Sequence, residues 1–201
     1  MNAETPSMPA WAAWRKAERS RLIAARLAMP ANQRREFTRL IGAALDRLLP
    51  EVRGLVVAVY WPIRGEPDLR AWTGSLRERG ARCALPVVVA RGAPLLFREW
   101  RAGARLVPGV WNIPQPSDGE TLVPQVVIAP LVGFSRDGYR LGYGGGYYDR
   151  TLAASPAHTL TIGVGYSAAA LPAFEPQPHD IPMDVIVDDR AATRQRRQRP
   201  T

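Results

Sequence analysis

A set of short apolar runs separated by helical patterns narrows the fold of this chain more than any other feature. Leu55–Tyr60, Arg82–Val89, Val126–Ala129, Leu160–Gly165 and Val185–Val187 are of strand length. Trp11–Leu27 and Ala31–Leu49 read as helices divided at Met29-Pro30. In the second, Phe37, Leu40, Ile41, Ala44, Leu45 and Leu48 recur at helical spacing. Leu69–Arg79 reads as a third helix stopped by Gly80, and a further helix of roughly ten residues is expected after Gly146. Leu95–Trp100 reads as a short edge strand, whereas 101–124, rich in Gly and Pro, carries no clear period. Strands interleaved with helices build a mostly parallel central sheet covered on both faces. The expectation is an α/β fold, a single three-layer Rossmann-like domain over residues 1–189. Met1–Ala10 is expected to be flexible, and 190–201 a basic disordered tail. Ligands of such folds gather at the carboxyl ends of the strands, so the loops 61–68, 130–146 and 166–184 should converge on one edge.

Size and charge set the bounds. A chain of 201 residues with 46% hydrophobic content suffices for one domain with a substantial core. No apolar run approaches the roughly 18–20 residues that span a bilayer. Met1–Ala10 lacks a basic region followed by an apolar stretch, so no secretory signal is expected. Cys83 is the single cysteine, which rules out an intrachain disulfide and makes the cytoplasm the default location. The net charge of +9 is concentrated at the ends: residues 1–40 carry eight basic and three acidic side chains, and 190–201 carry five arginines and no acid. Basic ends can contact nucleic acid. A solvated tail is the simpler reading, because Ala191–Thr201 has no apolar periodicity to pack.

Chemistry concentrates in Gly138–Arg150, which reads Gly-Tyr-Arg-Leu-Gly-Tyr-Gly-Gly-Gly-Tyr-Tyr-Asp-Arg. Glycines let the backbone approach a ligand closely, and successive N–H groups in such a loop make an anion-binding concavity. A helix starting behind the loop adds its dipole. Asp149, one turn on, is placed for Mg²⁺ beside phosphates. No Gly-Lys-Ser/Thr follows, so this is not a Walker A loop, and Tyr147 stands where a dinucleotide fingerprint needs its last glycine. On glycines alone a flexible turn competes. Arg140, Asp149 and Arg150 favour a nucleotide-phosphate site.

Arg140–Asp149 resembles the signature of the 5-formyltetrahydrofolate cyclo-ligase (5,10-methenyltetrahydrofolate synthetase) family. Trp111-Asn112-Ile113-Pro114-Gln115-Pro116, Pro130–Gly138 and His179-Asp180-Ile181-Pro182-Met183-Asp184 are similar to further family segments, in the family's order, so the likeness runs from about Arg15 to Asp188. The resemblance implies ATP-dependent closure of 5-formyltetrahydrofolate (folinic acid) to 5,10-methenyltetrahydrofolate with release of ADP and phosphate. In that reaction the formyl oxygen takes the γ-phosphoryl group, N10 attacks the formyl carbon, and phosphate leaves. Phosphoryl transfer asks for positioning and charge neutralisation rather than a protein nucleophile.

The same resemblance assigns roles. Arg140, Leu141, Gly142, Tyr143, Gly144, Gly145, Gly146, Tyr147 and Tyr148 would hold ATP, and Arg140 and Asp149 would serve catalysis. Asp149 would bind Mg²⁺, with Asp184 as second carboxylate unless that residue bonds locally at a strand start. Arg15 and Arg19, one helical turn apart, align with phosphate contacts, Lys16 replacing Arg15 if the register shifts by one. A solvated basic face is the alternative for Arg15 and Arg19. Glu66 would accept two N–H bonds from the pterin edge. Trp61 and Trp111 would line or stack on the folate unless they pack in the core, and Tyr143 and Tyr147 would close over the ligands. A monomer binding folinic acid and MgATP is implied. The competing reading is a relative without ligase activity that binds nucleic acid through its basic ends.

Overall fold

The computed structural model describes residues 9–194. Expectations for Met1–Met8 and for 195–201 therefore lie outside the described residues. Two helices open the chain, α1 (Ala10–Ala28) and α2 (Ala31–Leu48), separated by an extended Met29 and by Pro30. There follow β1 (Val56–Ala58), α3 (Arg70–Glu78), β2 (Arg82–Val87), β3 (Leu96–Glu99), β4 (Leu106–Pro108), β5 (Pro114–Pro116), β6 (Thr121–Leu122), β7 (Val126–Pro130), β8 (Gly133–Phe134), β9 (Arg140–Leu141), α4 (Tyr147–Ala154), β10 (Leu160–Val164), β11 (Val185–Val187) and β12 (Ala192–Arg194).

Eight strands form the main sheet in the order β12-β11-β10-β7-β1-β2-β3-β6. The five from β11 to β2 run parallel, and β3, β6 and β12 pair antiparallel at the two sides. Alternation along each strand sorts the core into two layers. Val57, Val59, Ile128 and Ile162 meet Ile41 and Leu45 of α2 and Leu69 and Leu76 beside α3. On the other face Val56, Ala58, Val127 and Ala129 meet Leu152 of α4 and Met183. Helices therefore cover both faces, as expected. A third cluster, Leu22 with Val132, Leu141 and Leu171, seats α1 on the β8–β9 hairpin at the carboxyl end of the sheet.

β1 connects through α3 to β2 on one side, whereas its other neighbour β7 connects through α4 to β10. The loops leaving β1 and β7 thus diverge, and a crevice opens between them, where ligands of doubly wound sheets bind.

Two expectations need correction. The strand at 96–99 is not the edge, because Phe97 and Arg98 pair with Leu122 and Thr121 of β6. β6 has two residues, too few to show a period in the Gly- and Pro-rich stretch that contains it. Behind the glycine loop, α4 has eight residues and ends before Pro156, close to the length expected. Finally, the tail does not begin at 190. Asp188 Oδ1 accepts the Arg190 and Ala191 N–H groups, and the turn brings Ala192–Arg194 back onto β11.

Candidate active site

A cleft of about 630 Å³ lies at this crevice. All three expected loops contribute: Trp61 and Glu66 after β1, Arg140–Asp149 beyond β7, and Asp180 after β10. Sequence reading missed two further walls, Val88 and Leu95 beyond β2 and Val110, Ile113 and Gln115 around β5.

The glycine-rich loop connects the β8–β9 hairpin to α4. Gly144 and Gly146 have φ of +95° and +63°, conformations that side-chain-bearing residues rarely adopt. A Cβ on Gly146 would also sit 2.7 Å from Arg150 Nη1, and one on Gly144 would lie 3.4 Å from the Arg19 guanidinium. Arg19 Nε donates to the Gly142 carbonyl at 2.6 Å, and Arg150 Nη2 donates to that of Gly145 at 2.5 Å. Both arginines thus engage the loop's carbonyls.

Arg140 is buried on the cleft wall, donates to Asp149 Oδ2 at 2.9 Å and lies over the Tyr148 ring. Its Nη1 is buried without any hydrogen-bond partner, as is Arg150 Nε. An unpaired buried guanidinium nitrogen is costly and is expected where an anion completes it. Burial, and then the neighbouring Arg15, pull the Arg19 guanidinium below its ordinary pKa. It remains a cation, and an anion would relieve it. Asp149 Oδ1 accepts the Ile181 N–H at 3.4 Å, so each of its oxygens has one protein donor.

The α1 residues divide by helical angle. Arg15 and Arg19 face the cleft, whereas Lys16, turned about 100° away, is exposed and lines none of it. The register alternative for Lys16 is thereby corrected, and so is the solvated-face reading of Arg15 and Arg19. Arg15 is itself already paired: it donates to both oxygens of Asp180, at 3.0 and 2.5 Å, and to the Glu175 carbonyl at 2.8 Å. Its guanidinium also lies over the Phe174 and Trp11 rings. Burial raises the Asp180 pKa, but the bonds from Arg15 and the Gln177 N–H outweigh it and hold the carboxyl below its usual range.

Asp184 is the other correction. Its Oδ2 accepts the N–H and Oγ1–H of Thr161 at 2.8 and 2.9 Å, and it does not line the cleft. The carboxylate joins the start of β11 to β10, the local role that had been its alternative. Of the expected metal pair, only Asp149 faces the cleft.

Across the cleft Glu66 is 5% exposed. It accepts the Ile63 N–H at Oε2, 2.9 Å, and the Tyr143 hydroxyl at Oε1, 2.8 Å. Burial, only partly offset by those bonds and by Arg26, raises its pKa above the ordinary glutamate value. Trp61 packs edge-on against Trp100 and also faces the cleft. Trp111 is 67% exposed at the mouth, with φ of +56°, edge-on to Tyr147 at 5.6 Å. A core fate for Trp111 is thus excluded.

Known proteins resemble this chain along most of its length. The model of the 5-formyltetrahydrofolate cyclo-ligase family matches residues 11–189. A 5-formyltetrahydrofolate cyclo-ligase of Escherichia coli K12 is 34% identical over 173 residues, 81% of this chain and 93% of that protein. Its counterpart from Mycolicibacterium smegmatis is 32% identical over 149 residues, 68% of this chain and 75% of its own. The NMR structure of Aquifex aeolicus 5,10-methenyltetrahydrofolate synthetase superposes with a TM-score of 0.78 at 28% identity, covering 93% of this chain and 95% of that one. With a family match spanning most of the described residues and a shared fold, this chain belongs to the 5-formyltetrahydrofolate cyclo-ligase family of ligases.

Proposed function

We propose that this chain closes 5-formyltetrahydrofolate to 5,10-methenyltetrahydrofolate with consumption of ATP. The observation that carries the reading is the buried, unpartnered Nη1 of Arg140 beside a glycine loop on the cleft wall. A triphosphate supplies the missing acceptors. Arg140 and Arg19, together with the Gly144–Tyr148 backbone, would cradle it. Charge on the transferring phosphoryl group would develop against donors already in place, so little reorganisation is required at the moment of reaction. Glu66 would hold the folate's pterin edge through its two carboxylate oxygens, and Trp61 and Trp111 would flank the ring system.

A formyl amide oxygen is a poor leaving group. Phosphorylation converts it to one that N10 can displace, and no protein nucleophile is required. Among the described residues no three His, Cys, Asp or Glu gather into a metal site. A Mg²⁺ ion would therefore rest on Asp149 and the nucleotide's own phosphates, a donor set that suits its preference for carboxylate, phosphate and water. Bound there, it would neutralise phosphate charge.

The nucleic-acid reading loses support at α1, because Arg15 and Arg26 are buried and Arg19 faces the cleft. The test is direct. Purified protein is mixed with 5-formyltetrahydrofolate and MgCl₂, with and without ATP, and the near-ultraviolet absorbance of methenyltetrahydrofolate is followed. ATP-dependent product is expected; its absence overturns the proposal.

A further inference from the structure

Arg26 lies outside every motif discussed so far. It is 6% exposed near the end of α1, and three of its nitrogens are committed. Nε donates to the Arg64 carbonyl at 2.9 Å, Nη1 to the Leu131 carbonyl at 3.1 Å, and Nη2 to the Tyr143 hydroxyl oxygen at 2.6 Å. It thus ties α1 to the loop after β1, the loop after β7 and the glycine-rich loop at once.

The third bond has a consequence for Glu66. Arginine has only donors, and a tyrosine hydroxyl has one proton. With Arg26 donating to Tyr143 Oη, that proton is left for Glu66 Oε1, 2.8 Å away. Ile63 N–H supplies one donor to Oε2. Each carboxylate oxygen then holds one protein donor and keeps acceptor capacity for another. A side-by-side pair of N–H donors on a ligand meets a carboxylate whose rotation is already set.

Resting on the functional reading above, we infer that Arg26 is a positioning residue for the folate half of the site, acting through Tyr143 to orient Glu66. Because Tyr143 belongs to the glycine-rich loop, the same contact joins the nucleotide cradle to the folate carboxylate. Arg26 does not line the cleft; it reaches Glu66 through one hydroxyl and through its own positive charge.

The experiment is a double-mutant cycle on the full chain: Tyr143→Phe, Arg26→Gln, and both together. Affinities for 5-formyltetrahydrofolate and for a non-hydrolysable ATP analogue are measured by calorimetry, KM by steady-state assay, and folding by circular dichroism. Tyr143→Phe keeps the ring and Arg26's two carbonyl bonds, so it serves where Arg26→Gln does not fold. Each single change should weaken folate binding roughly tenfold, the size of one lost hydrogen bond to a charged group. The double change should be no worse than the poorer single, and in each variant ATP-analogue affinity should fall by less than folate affinity does. Unchanged folate affinity in Tyr143→Phe, or additive losses in the double variant, overturns the inference while leaving the enzyme reading intact. Wild-type protein that binds no 5-formyltetrahydrofolate overturns both.

Discussion

At the glycine-rich loop, Arg140 keeps a buried nitrogen without a partner, and Arg19 is a half-buried cation beside the cation of Arg15. Across the same cleft, Glu66 has a protein donor on each oxygen, and Tyr143 and Arg26 behind it are bonded in turn. One region keeps an open guanidinium donor and crowded cations, and the other is a closed network with spare acceptor capacity. The difference matches the ligands proposed for each. A polyphosphate brings enough charge and acceptors to satisfy several donors, so the protein gains by leaving some of them open. A neutral pterin edge brings two modest donors and gains only if the acceptor is already oriented.

Removing the guanidinium with the open donor should therefore cost most. Arg140→Met is expected to lower kcat/KM by a factor on the order of 10²–10³, as loss of one transition-state donor does. Because the change also strips Asp149 of its Arg140 partner, the melting temperature should fall as well. A loss under tenfold would mean that the unpartnered nitrogen is not aimed at the reacting phosphate, and the contrast between the two halves would fail.

Within the nucleotide half Arg15 is already held by Asp180, as Arg140 is by Asp149 through one nitrogen. Asp180→Asn leaves a buried guanidinium short of charge and is expected to cost about 3 kcal/mol of stability, near the low end for breaking a buried pair because asparagine still accepts one bond. The pH dependence has a definite sign. A carboxyl held below its usual pKa stabilises above the unfolded value, about 3.9, and that contribution is lost as pH falls through the depressed one. The gap in melting temperature between wild type and variant should accordingly be full at pH 7 and shrink below about pH 4. A gap that persists unchanged in acid would show that Asp180 acts through packing alone.

Glu66→Gln should come next, at about 2 kcal/mol, or roughly thirtyfold in folate KM with ATP KM nearly unchanged. Burial raises the Glu66 pKa, so protonation begins at higher pH than for an ordinary glutamate. A protonated carboxyl is no longer a two-oxygen acceptor. Folate KM of the wild type should rise as pH is lowered toward that value, and the glutamine variant should lack this limb. If both enzymes show the same acid limb, the titrating group is elsewhere.

Much of this was legible from residue order. The apolar runs located the parallel strands because a buried strand is apolar along its whole length, and the glycine loop announced itself through four glycines flanked by Arg140, Asp149 and Arg150. Legibility ended where side chains had to be assigned direction. Nothing in the His179–Asp184 stretch says that Asp180 turns to α1 while Asp184 turns back to Thr161, since both are aspartates in one extended segment. β6 and β12 were invisible because two or three residues carry no period. Arg26 was passed over for a similar reason: on α1 it is one arginine among several, and only burial separates it from the exposed Arg21.

The smallest expected effects test that limit most sharply. Lys16 and Asp184 are the two expected site residues that the structure turns away from the cleft. Lys16→Ala removes an exposed charge one position from Arg15 and should change kcat/KM less than twofold. Asp184→Asn should likewise leave the Mg²⁺ dependence of turnover within about twofold, yet lower stability by about 1 kcal/mol, because its carboxylate holds two donors of Thr161 across β10 and β11. Stability loss without a metal phenotype is the signature of a strand-joining carboxylate. Should Asp184→Asn instead raise the Mg²⁺ requirement tenfold, the ion rests on a second carboxylate after all. The β11 start would then have to move toward the cleft when nucleotide binds, and the nucleotide half would be incomplete as well as open before its ligand arrives.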